Sequence, residues 1–165
     1  MRRHRVVLIP FLLTSALISQ SACGPSTLSK LHDSLNKVAR SLNAAARTNR
    51  QFYEGGVYGP QGSAQAIEWR QKSATAIHAS NEKLILALSL AKALTPATFE
   101  QGKLSVLAEL ADAAASLHTG NRSIDLVLAA IATLINQAVV LIQAFSARDL
   151  PYVLPRIQSW TLEAV

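Results

Sequence analysis

The chain has 165 residues, half of them hydrophobic but only 5% aromatic, and a single cysteine. Ala and Leu dominate the apolar half, and these residues lose little rotamer freedom in a helix. An all-helical fold is therefore expected, and one cysteine excludes an internal disulfide. The formal charge of +6 includes Arg2, Arg3 and Arg5 of a short N-terminal head; without them the remainder carries +3, too little for a nucleic-acid binder.

Met1 to Arg5 is that positive head, and Val6 to Ile18 is a charge-free apolar run. At 13 residues the run falls short of the roughly 20 that span a bilayer. The small residues Ser19, Ser21 and Ala22 follow, interrupted by Gln20, and they lead to Cys23. Head, run and small residues have the three-part layout of a secretory signal, expected to occupy residues 1–22 and to be removed.

Ser21-Ala22-Cys23-Gly24 resembles the end of a bacterial lipoprotein signal, with Gln20 where the family carries an apolar residue. The resemblance covers the signal alone. It implies cleavage before Cys23, acylation of Cys23 and attachment to a membrane, and hence an exported protein of the cell envelope. Ordinary cleavage after Ser21, releasing a soluble periplasmic or secreted protein, is the alternative.

Residues 23–26 read as an anchor or linker, 27–146 as a helical bundle and 147–165 as a tail packed on it. In the first helix, about 27–52, Leu28, Leu31, Leu35, Val38, Leu42, Ala45, Asn49 and Phe52 alternate in steps of three and four. That spacing forms one seam. Asn49 interrupts the seam, as polar residues that fix register do. Lys30, Lys37, Arg40, Arg47 and Arg50 make the other faces basic, with Asp33 placed to pair with Lys37 one turn on.

The stretch from Glu54 to Gly62 breaks this helix with four glycines and a proline. Tyr53 and Tyr58 lie in or beside it, either as a binding surface or as a lid on the bundle. Ser63 suits the N-cap of a second helix running to about Leu94. Its first half carries a thin stripe of Ile67, Ala74 and Ile77; its second half is apolar nearly all round and should lie deeper.

Thr95-Pro96 restarts the chain into a third helix, about 96–118, with Phe99, Leu104, Leu107, Leu110, Ala111, Ala114 and Leu117 as its apolar face. Gly120 ends it, and Asn121 or Ser123 caps a fourth helix at about 123–146. The fourth is the most apolar of all, but Asp125, Asn136, Gln137 and Gln143 would be costly in lipid. A core helix is expected in place of a membrane span. A short helix within 155–163 completes the tail. Short connections between long helices favour an antiparallel up-down bundle of about four helices with a short helical tail.

No catalytic or cofactor constellation emerges. His32, His78 and His118 lack partners at metal-ligand spacing, and they read as solvated or capping side chains. Glu109 and Asp112, three apart, read as a solvated strip, and no phosphate loop or nucleophile elbow occurs. The expected protein is a non-enzymatic, lipid-anchored helical bundle acting as an interaction or structural module, with no cofactor. Its expected partners are the membrane, through Cys23 and through anionic headgroups beside the basic face of Lys30, Lys37, Arg40, Arg47 and Arg50, and an envelope protein, with Tyr53 and Tyr58 as a further candidate interaction surface. A carrier of a small apolar ligand, held near Ala111 and Ala113 to Ala115, is the second reading, and an enzyme the third.

Overall fold

A computed structural model of the chain describes residues 25–158. The expected signal segment and Cys23 lie outside the described residues, as does the end of the tail with Trp160.

The fold is all-α. Four long helices, α1 (Pro25–Glu54), α2 (Ala64–Lys92), α3 (Phe99–Ala115) and α4 (Arg122–Gln143), are followed by a 3-10 turn (Ala147–Asp149) and α5 (Leu150–Gln158). Each long helix packs on its neighbour in sequence, and α4 closes the ring against α1. Successive helices run in opposite directions, which brings the start of α1 beside the end of α4. The 3-10 turn and α5 begin earlier than the tail helix expected from 155–163, and α5 folds back across α1 and α2.

The seam of α1 is the core stripe. Leu31, Leu35, Val38, Leu42, Ala45 and Asn49 are buried and Phe52 is half-buried. α4 faces it with Ile124, Leu128, Ile131, Ile135, Ala138 and Ile142. α4 is long and apolar enough to cross a membrane, yet one whole face of it is core. Its opposite face carries Leu126 and Val140, 69% and 64% exposed. Asn136 and Gln137 lie on that outer side and line a groove with Lys30, Asp33 and Lys37 of α1, so no polar group is stranded in the interior there.

Two faces differ from expectation. α3 buries Phe99, Val106, Leu110 and Ala113, and Leu117 just past its end is buried as well, while Leu104 is 66% exposed and Ala111 is exposed. Phe99, Leu110 and Leu117 of the expected face are thus buried and Leu107 and Ala114 half-buried, while the core stripe takes in Val106 and Ala113 in place of Leu104 and Ala111. Lys103 anchors that orientation by donating to the Phe145 carbonyl at 2.9 Å. The C-terminal half of α2 buries Leu84, Ala87 and Ala91 but exposes Ile85 and Leu86, because its neighbours α1, α3 and α5 cover one side only.

The caps follow local chemistry. Ser63 Oγ accepts from Ala66 N at 3.2 Å, and Asn121 Oδ1 from Ser123 N at 3.0 Å. Pro96 stands in a turn ahead of α3, not in its first turn. That turn is tied by Thr95 N donating to Thr98 Oγ1 at 3.1 Å and Thr98 N to Thr95 Oγ1 at 3.3 Å.

Candidate functional site

The connection from α1 to α2 is built around one buried phenol. Gly56 and Gly59 have φ of 73° and 121°, backbone that a side chain would strain, and they turn Tyr58 back between the helices. Its ring meets Phe52 edge-on at 5.9 Å. Its hydroxyl donates to Asn49 Oδ1 at 2.9 Å and lies 3.3 Å from Ser73 Oγ. Asn49 Nδ2 donates in turn to the Arg70 carbonyl at 3.1 Å, and Ser73 Oγ to the Trp69 carbonyl at 2.7 Å. Asn49 thus fixes how α1 and α2 meet. Burial pushes the Tyr58 phenol up from its ordinary value, against the hydrogen bond with Ser73. Tyr58 is 2% exposed, so it is the lid of the two readings and offers no binding surface.

Beside this network α1 and α2 enclose a groove of about 260 Å³. Arg50, Arg70 and His78 line it, all three exposed, over Ala46, Ala74 and Ile77. The Arg70 guanidinium stacks over the Tyr53 ring, 4.8 Å from its centroid, a cation–π contact that orients the fork. Two expected surface residues, Arg50 and Tyr53, therefore come together with Arg70, which the sequence did not single out, and with His78, expected only as a solvated or capping side chain. Those two sit eight apart on a helix with little charge pattern, and only its packing on α1 brings them to Arg50.

The other basic residues of α1 are exposed but dispersed. Lys30 and Lys37 line the separate groove against α4, about 570 Å³, together with Asp33. No ion pair within 4.0 Å joins Asp33 to Lys37 among the described residues, contrary to expectation; both side chains line the groove instead. Arg40 and Arg47 border neither groove.

Glu109 and Asp112 do share a face, and Lys83 occupies it. Its Nζ lies 3.0 Å from Glu109 Oε2 and 3.7 Å from Asp112 Oδ2. The hydrogen bond to Glu109 raises the Lys83 pKa. The pair is a structural clasp between α2 and α3.

His118 pairs through Nδ1 with Asp125 at 3.0 Å. Asp125 also accepts from Thr119 N at 2.8 Å, Thr119 Oγ1 at 2.7 Å and Gly120 N at 3.0 Å. Partial burial pushes the Asp125 carboxyl up, but these hydrogen bonds and His118 outweigh it and hold it below its ordinary value. The cluster locks the corner between α3 and α4, where Gly120 has φ of 85°. His32 meets Asn36 one turn on at 3.2 Å. Among the described residues no three His, Cys, Asp or Glu side chains are grouped to hold a metal.

A cavity of about 20 Å³ between Leu35, Leu84, Val106 and Leu110, lined by apolar side chains alone, is no larger than roughly one water. A carrier of a drug-sized ligand needs some hundreds, and this cavity gives that reading no support. No known protein family, no curated protein and no solved structure matches the chain.

Proposed function

We propose that the chain is a non-enzymatic exported protein of the cell envelope, a helical bundle anchored to a membrane by acyl chains on Cys23 and acting as an interaction module. The observation that carries this reading is the order of residues 1–25: a positive head, a short apolar run, small residues and the chain's one cysteine. α1 begins at Pro25, two residues later. Stable anchoring takes more than one chain, which the lipoprotein resemblance supplies. The surface offered to a partner is the Tyr53, Arg50 and Arg70 end of the bundle.

The test is the intact mass of protein extracted from membranes, which reports cleavage and acylation together. The expected mass is that of the chain from Cys23 plus its acyl groups. Cys23→Ala protein should move to the soluble fraction or accumulate as precursor. Unchanged membrane retention of Cys23→Ala at mature mass would overturn the anchor.

A further inference from the structure

The groove between α1 and α2 is a concentration of unmatched positive charge. Arg50, Arg70 and His78 line it, and no Asp or Glu does. Glu82, one turn beyond His78, is not part of the lining. Among the described residues none of the three basic groups has a carboxylate within 4.0 Å. The contrast with the α1–α4 groove is direct, since Asp33 there sits between Lys30 and Lys37.

We propose that this groove binds the phosphoryl group of a phosphorylated ligand. Arginine presents a planar fork that matches the oxygens of phosphate and carboxylate, and two forks facing one space can each engage a separate pair of oxygens. A carboxylate would bring a single negative charge to at least two positive ones; a phosphoryl group balances them. The fork of Arg70 is held in place by Tyr53 at 4.8 Å, so less freedom is lost when it binds. Ala46, Ala74 and Ile77 give the groove an apolar floor, which suits the carbon stem of an esterified phosphate. At about 260 Å³ the space exceeds a lone phosphate ion. The site does not depend on acylation of Cys23, so either proposal can fail alone.

The same chemistry is offered by free phosphate and by a phospholipid headgroup, and two arms of one experiment separate them. The protein is residues 24–165, which keeps the whole described core from Leu31 to Val153. Low ionic strength limits screening of these exposed charges. In one arm inorganic phosphate and pyrophosphate are titrated and followed by NMR shifts of the Arg50, Arg70 and His78 amides. In the other, phosphatidylglycerol vesicles are compared with phosphatidylcholine vesicles in co-sedimentation. Saturable shifts in the first arm identify a free or small phosphorylated ligand; binding confined to phosphatidylglycerol vesicles identifies a headgroup. Either supports the site. Arg50→Gln and Arg70→Gln should each weaken binding about tenfold, with helical circular dichroism retained. Arg40→Gln and Arg47→Gln, on the same helix outside the groove, should leave it unchanged. Absence of binding in both arms, or equal loss from the Arg40 and Arg47 variants, would overturn the proposal.

Discussion

Asn49 holds an apolar position of the α1 seam with a polar side chain, and its partners explain why that is tolerated. Its amide is satisfied on both sides, by the Tyr58 hydroxyl and the Arg70 carbonyl. Tyr58→Phe keeps the ring against Phe52 but leaves Asn49 Oδ1 without its buried donor, so it should cost about 1–2 kcal/mol. Tyr58→Ala also opens a cavity and should cost about 3–5 kcal/mol. Urea unfolding of both variants checks the ordering, and equal losses would show that the hydroxyl contributes nothing separable. Asp125 gives a pH-dependent counterpart. A carboxyl held below its unfolded value of about 3.9 adds stability that is present above that value and lost as pH falls through the folded one. Asp125→Asn should therefore cost about 1–2 kcal/mol at neutral pH, with the difference from the parent shrinking below about pH 4. A deficit that stays constant down to pH 3 would assign the effect to geometry instead of charge.

At the scale of single helices, legibility in the sequence depended on how unequal the two faces are. α1 alternates leucines with Lys and Arg, so its seam could be read directly, and α4 shows its isoleucines at helical spacing. α3 carries leucine or alanine on nearly every side, and nothing local tells that Val106 and Ala113 join Phe99, Leu110 and Leu117 in the core in place of Leu104 and Ala111. That choice is tertiary, made by the packing of α2 and α4 on either flank and by the Lys103 bond to the Phe145 carbonyl. The candidate site was half legible for a similar reason: Arg50 and Tyr53 belong to a basic helix and an aromatic loop, whereas Arg70 and His78 acquire meaning only across an interface. The faces predict contrasting mutants. Leu42→Ala, fully buried, should cost about 2–5 kcal/mol. Leu104→Ala, 66% exposed, should stay within about 0.5 kcal/mol of the parent. Denaturant midpoints decide this, and a large loss from Leu104→Ala would restore the face expected from the leucine spacing.

For the molecule as a whole, the ring of four helices keeps one face of α4 in the core, and residues 24–165 are expected to be recovered without detergent and to be strongly helical by circular dichroism. Recovery only in detergent, with α4 shielded from protease by liposomes, would make that helix a membrane span and undo the ring. The length of α1 has a consequence of its own. At 30 residues and 1.5 Å per residue it is a rod of about 45 Å. Arg50 stands near its far end, about 38 Å from Pro25. Were the bundle anchored at Cys23 as proposed above, that length would confine the groove to a hemisphere of about 40 Å radius around the anchor. One groove in that volume amounts to an effective concentration on the order of 10 mM. A site that holds free phosphate at only millimolar strength would then be mostly occupied by any phosphoryl group fixed within reach, and would release it once the tether is cut.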